Sequence, residues 1–150
     1  MKKIQKILAP TDFSELSGYG VRYALDLART WNSSVTLLNI ADPTELSKYH
    51  AHSLEDLVKK HEQMMEDFLN QTGADVTPPL NLTIRVELGS PASTILEAAQ
   101  KERSDLIVMS THGRTGLAHM LMGSVTEKVI RLAPCPVFSI HQPHVGQSPE

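Results

Sequence analysis

Met109-Ser-Thr-His-Gly-Arg-Thr-Gly-Leu-Ala-His-Met-Leu-Met-Gly-Ser-Val-Thr126 is the stretch on which the reading of this chain turns. The run leading into it, Leu106-Ile-Val-Met109, is short and wholly apolar, as expected of a central parallel strand buried on both faces. It gives way to small residues and glycines, and a helix start follows at Gly123-Ser124. Glycines at a strand exit let backbone N–H groups approach a ligand with no Cβ in the way. A helix N-terminus adds unpaired N–H donors and the positive end of a macrodipole, which together attract phosphate. The stretch reads as strand, phosphate cradle and helix.

Working outward, the same alternation recurs. Ile4–Ala9 reads as a first strand ended by Pro10, with Asp12 or Ser14 capping the helix that follows, and Glu15 completing a capping box if Asp12 is the cap. Leu16, Gly20, Ala24, Leu27, Ala28 and Trp31 lie at helical spacing. Ser34–Ile40 is a second strand. After a looser stretch to Ser53, Leu54, Leu57, Val58, Met65, Phe68 and Leu69 mark a second helix that Gly73 is placed to close. In Asn81–Leu88 the residues Leu82, Ile84, Val86 and Leu88 alternate, which predicts an edge strand with one wetter side. Ser90-Pro91 opens a third helix with Ala92, Ile95, Leu96 and Ala99 as its stripe. Val125, Val129, Leu132 and Ala133 define the last helix, Pro134 stops it, and Cys135–Ile140 is the final strand. Residues 1–141 form one domain in this reading, and 142–150, with two prolines and a glycine, a flexible tail.

The order is βαβαβαβαβ, which implies a parallel sheet covered on both faces by right-handed crossovers. Ligands in such sheets sit beyond the C-terminal strand ends where the winding reverses. Pro10-Thr11-Asp12 and Met109–Gly113 are both such ends, so they face each other if their strands are neighbours.

Composition sets the class. One hundred and fifty residues, 41% apolar and 21% charged, are ordinary for a single globular domain with a proper core. A net charge of −3 argues against a nucleic-acid partner or an anionic membrane surface. The basic start Met1-Lys2-Lys3 is followed by no signal-peptide apolar region, and no stretch approaches the roughly 20 apolar residues of a membrane span. The single cysteine excludes an internal disulfide framework; a reducing, cytoplasmic home is the expectation. Cys135, between two prolines, reads as a buried hydrophobe rather than a nucleophile. His61 continues the helical stripe and reads as a packed histidine; His50 and His52 lie in polar sequence without partners at ligand spacing, so no metal site is expected.

These residues together resemble the universal stress proteins. The likeness rests on Ile7-Leu-Ala-Pro-Thr-Asp-Phe-Ser14, Leu37-Leu-Asn-Ile40, Gly89-Ser-Pro-Ala-Ser-Thr-Ile95, Asp105–Gly116, Gly123–Val129 and Ala133-Pro-Cys-Pro-Val137, in this order and spacing. It implies a Rossmann-like α/β fold: a doubly wound, five-stranded parallel sheet in the order 3-2-1-4-5 with helices on both faces, of the adenine nucleotide alpha-hydrolase-like kind. The nucleotide-binding branch of that family carries Gly-x-x-Gly, nine residues, then Gly-Ser/Thr. Gly113, the nine residues 114–122 and Gly123-Ser124 fit, whereas Ser110 replaces the first glycine. A left-handed backbone at that serine would cost free energy, which bears on affinity.

By that resemblance the ligand is ATP or a related adenine nucleotide, with Mg²⁺ or Mn²⁺ riding on its phosphates. Adenine and ribose would lie between Pro10, Thr11, Asp12, Ile40 and Met109. The phosphates would meet Gly113, Gly123, Ser124, Val125 and Thr126, with Ser110, Thr111, His112 and Arg114 in the same loop. The resemblance further implies a homodimer paired through the final strand and a role as a nucleotide-dependent regulator in the stress response. Two other readings stay open. One is a slow metal-dependent ATPase, for which Asp12 and His112 are the only credible participants, because neither a Gly-x-x-x-x-Gly-Lys-Ser/Thr loop nor a Ser-Gly-Gly-x-Asp-Ser loop occurs. The other is an interaction module without nucleotide.

Overall fold

The structure is a computed structural model, described here for residues 1–112 and 122–142. Five strands, β1 (Lys6–Pro10), β2 (Ser34–Ala41), β3 (Asn81–Leu88), β4 (Leu106–Ser110) and β5 (Val137–Ile140), form one parallel sheet in the order β3-β2-β1-β4-β5. Helices α1 (Glu15–Trp31), α2 (Leu54–Thr72), α3 (Pro91–Glu102) and α4 (Ser124–Leu132) alternate with them, and a short 3₁₀ turn covers Pro43–Glu45.

Alternation along the strands sorts side chains onto two cores. Ile7, Ala9, Val35, Leu37, Leu106 and Val108 face one way, into Val21 and Leu25 of α1 and Met65 and Phe68 of α2. Leu8, Leu38, Ile107 and Met109 face the other, against Ile95, Ala98 and Ala99 of α3 and Val129 of α4. Leu8, Leu37, Leu38 and Ile107 are fully buried. At about 1.5 to 3 kcal/mol each, such residues dominate the drive to form the sheet.

The base of the sheet is pinned by Asp105. Its carboxylate, 7% exposed, accepts from the backbone N–H of Gln5 at 2.9 Å and of Lys6 at 3.0 Å, and lies 2.8 Å from the Lys2 ammonium. The Lys2 contact, followed by the Gln5 amide, holds this carboxyl below the usual aspartate range.

Several sequence expectations shift in detail. Ser14, not Asp12, caps α1, its side chain accepting from Ser17 N–H at 3.1 Å. Asp12 instead accepts from the Ser14 N–H at 3.0 Å in an Asx turn. The buried face of α1 runs through Ser17, Gly18, Gly20, Val21, Ala24, Leu25 and Ala28, with Leu16, Leu27 and Trp31 at its half-buried margins. β1 begins at Lys6 and includes Pro10, because the N–H of Pro10's successor, Thr11, still reaches Leu38 O at 2.9 Å. β5 begins at Val137, since Pro136 has no N–H to give a ladder. Cys135 is half-buried, and burial followed by the nearby Asp105 charge raises its thiol pKa. Leu132 is exposed, and β3 stands at the edge with Ile84 and Leu88 on its exposed margin. Gly73 closes α2 in the left-handed conformation, as its position predicts.

Candidate functional site

The winding direction reverses between β1 and β4, and a cleft of about 210 Å³ opens above their C-terminal ends. Three local devices build its near wall. Thr11 Oγ1 accepts from the Phe13 N–H at 3.1 Å and shares a 2.7 Å hydrogen bond with Ser17 Oγ. Together with the Asx turn at Asp12, this holds Phe13 at φ 67°, a left-handed conformation that costs a bulky residue about 1 to 2 kcal/mol. The strained backbone turns the Phe13 ring inward, 5.8 Å from that of Phe68 and 6.1 Å from that of His61.

The far wall is the start of α4. Gly123 precedes it in an extended conformation with no side-chain cap; its N–H donates to Thr111 O at 2.8 Å, and its carbonyl accepts from Glu127 N–H at 3.0 Å. The N–H groups of Ser124, Val125 and Thr126 therefore have no intrahelical partner, and all three residues line the cleft. Thr126 Oγ1 donates to Ser110 O at 2.9 Å and locks this helix end to the exit of β4. Partial positive charge from the macrodipole adds to these donors, so the wall suits an anion.

Pro10, Thr11, Asp12, Ile40, Met109, Ser110, His112, Gly123, Ser124, Val125 and Thr126 all line this one cleft. Thr111 stands behind the wall: it is buried, its N–H donates to Ile140 O at 2.8 Å, and its carbonyl holds Gly123. Gly113 and Arg114 lie outside the described residues.

Ser110 occupies the end of β4 without adopting a left-handed backbone. Its side chain turns toward α1, donating to Leu16 O at 2.6 Å and accepting from Gly20 N–H at 3.2 Å. The hydroxyl that replaces the glycine thus carries no backbone strain.

The sequence reading missed Phe13, Ser17, Leu38, Asn39, Tyr49, His61, Pro91 and Ile95 as lining residues. One signal was present: Asn39 is an amide in an otherwise apolar run, and it is buried, donating from Nδ2 to Thr11 O at 2.9 Å. Among the described lining residues Asp12 is the one carboxylate, and none is a lysine or arginine.

A sequence profile of the Universal stress protein family matches residues 3–141. Universal stress protein MJ0531 of Methanocaldococcus jannaschii is 32% identical to this chain, over 93% of it and 83% of the relative. Universal stress protein UspA from Lactobacillus plantarum superposes with a TM-score of 0.76 at 24% identity, covering 94% of this chain and all of that one. A universal stress protein solved in complex with cAMP superposes with a TM-score of 0.72 at 21% identity, covering 93% of this chain and 99% of that one. Fold, motif order and these likenesses agree, and the chain belongs to the universal stress protein family.

Proposed function

We propose that this protein binds ATP, or a closely related adenine nucleotide, in the cleft between β1 and β4, and serves as a stress-response regulator in the cytoplasm. The observation that carries the reading is the uncapped α4 terminus. Three free N–H donors and a helix dipole face a cleft whose opposite side is apolar and aromatic, which fits a phosphorylated ligand with a flat base. The cAMP complex of a relative with the same fold supports the same ligand class. A magnesium or manganese ion belongs to this proposal only as a companion of the phosphates, held by them rather than by a protein cage.

The protein acts by binding and not by turnover. Phosphoryl transfer needs cationic clamps and metal-holding carboxylates around the reacting phosphate. The described lining holds one carboxylate, Asp12, and no lysine or arginine.

It works as a homodimer paired through β5. Phe138 on this edge strand is 42% exposed, and Ile130 and Leu132 of α4, which packs on the other face of the sheet, are exposed as well. An apolar edge of this kind is a template for a second copy.

The test is a thermal shift with Mg-ATP. At a ligand concentration of roughly 100 Kd, binding adds about 2.7 kcal/mol, a rise of roughly 5–10 °C for a domain of this size. Gly123→Val should abolish that rise while leaving the circular dichroism spectrum intact. An undiminished rise in the variant counts against the α4 cradle.

A further inference from the structure

We propose that the protein carries a second anion site, for phosphate or a phosphomonoester, at the end of the sheet remote from the nucleotide cleft. A cavity of about 270 Å³ opens there between the N-terminal ends of β1 and β2 and the close of α3. Its lining includes Lys6, Ser34, Thr36, Lys101, Glu102 and Arg103. Strand alternation puts Lys6 on the face of β1 that carries Leu8, and Ser34 and Thr36 on the face of β2 that carries Leu38. A parallel strand covered by a helix on that face reads apolar throughout. Here the face turns polar where α3 ends, and helix and strands enclose a polar hollow instead of a packed joint.

The charges around this hollow do not cancel. The Lys6 ammonium donates to Glu102 O at 3.2 Å and so answers the negative end of α3. The Glu102 carboxylate is paired with Arg85 of β3, which also holds Glu87. That leaves Lys101 and Arg103, whose side chains form no hydrogen bond or ion pair among the described residues. The Thr36 hydroxyl has no bond among them either. Two uncompensated cations thus line one hollow, on a chain whose net charge is −3.

Arg103 is also an unusual residue for its place. It ends α3 in the left-handed conformation, at φ 55° and ψ 51°. The corresponding positions of α1 and α2 hold Asn32 and Gly73, the residue types that accept this conformation most readily. An arginine there forgoes stability that glycine would keep, as expected where a side chain serves a ligand. Its guanidinium offers paired N–H donors that match phosphate oxygens, and the Lys101 ammonium adds a second charge. Two positive charges match the nearly dianionic state of a phosphate group at neutral pH, where a carboxylate would bring one.

An amide-resolved NMR titration of the full chain tests the assignment, with inorganic phosphate and phenyl phosphate as probes. In wild type the amides of residues 101–104 should move together at millimolar phosphate, on a saturation curve separate from any change at residues 124–126. Lys101→Ala and Arg103→Gly should each weaken binding at this set by on the order of tenfold, the factor one charge-assisted bond supports. Arg103→Gly should at the same time raise the urea midpoint, because glycine accepts the left-handed turn. Tighter binding of phenyl phosphate than of phosphate identifies the ligand as the phosphomonoester of a larger molecule; equal or weaker binding identifies it as the inorganic ion. No movement of these amides in wild type overturns the proposal. So does a Lys101→Ala, Arg103→Gly double variant that binds phosphate as wild type does. An Arg103→Gly variant that loses stability together with affinity overturns it too, since the arginine would then serve the scaffold.

Discussion

Gly20 and Ser110 touch where α1 crosses the exit of β4. The Gly20 amide donates to Ser110 Oγ at 3.2 Å, and the same hydroxyl donates to Leu16 O at 2.6 Å, one helical turn earlier. A Cβ at Gly20 would sit 2.8 Å from the Ser110 backbone nitrogen and 3.0 Å from the Met109 carbonyl carbon. The strand end and the helix are thus as close as backbone allows, and the floor of the cleft inherits its position from that contact.

Gly20→Ala should destabilise the protein although alanine is the better helix former. The propensity gain is about 1 kcal/mol, while overpacking against backbone costs about 1 to 3 kcal/mol. A lowered urea midpoint is the expected result. Gly18→Ala is the control: its Cβ would meet the Thr72 methyl group at 3.3 Å, near the end of α2 where it can give way, and the Phe68 ring at an ordinary 3.9 Å. That variant should be neutral or up to about 1 kcal/mol more stable. The reverse ranking of the two would show that α1 does not pack as described.

Ser110→Ala should cost about 0.5 to 1.5 kcal/mol, the value of a typical hydrogen bond, with nucleotide affinity retained. The hydroxyl bonds α1 and leaves the ligand side to backbone. A large loss of ATP affinity with little loss of stability would place the hydroxyl in the ligand shell instead.

Asp105 gives the acid limb of stability. Its carboxyl is held low in the folded protein, so its contribution is complete above the ordinary aspartate range and is lost as the pH falls through the lowered folded value. Asp105→Ala strands the Gln5 and Lys6 amides and should cost about 1 to 3 kcal/mol at neutral pH. Asp105→Asn keeps an acceptor for those amides, so it should cost less and flatten the stability profile in acid. Denaturation midpoints at several pH values check both. Equal losses in the two variants would mean that charge, rather than the backbone bonds, is what matters.

Cys135 should react slowly with thiol reagents at neutral pH, because burial and then the Asp105 charge disfavour its thiolate. Urea should accelerate the reaction to the rate of a free thiol. Modification of the folded protein at that rate would refute the half-buried environment.

The fold was legible because its signals are local and periodic. Leu106–Met109 announces a central strand, and Ser90-Pro91 and Gly73 punctuate helices without help from distant sequence. The anion wall was legible for the same reason, since Gly123–Thr126 is contiguous. The aromatic lining was not. Phe13 enters the cleft only because two side-chain turns hold it left-handed, and nothing in its own identity shows this. Tyr49 comes from an aperiodic connection, and His61 satisfies a helical stripe so well that it reads as core. Helix α1 shows the limit of periodicity. Gly20, whose N–H donates to Ser110 Oγ, lies against the strand end, and the buried arc centres on Ser17, Val21 and Leu25, with Leu27 and Trp31 at its margin.

The posture of Phe13 has an evolutionary corollary. Its ring lines the cleft, while its packing on Phe68 belongs to the hydrophobic interior under α2. Descendants of this sequence are not free to remodel that corner for a new guest and leave the scaffold alone. Diversification should run instead through the connection that bears Tyr49, which belongs to neither hydrophobic core cluster.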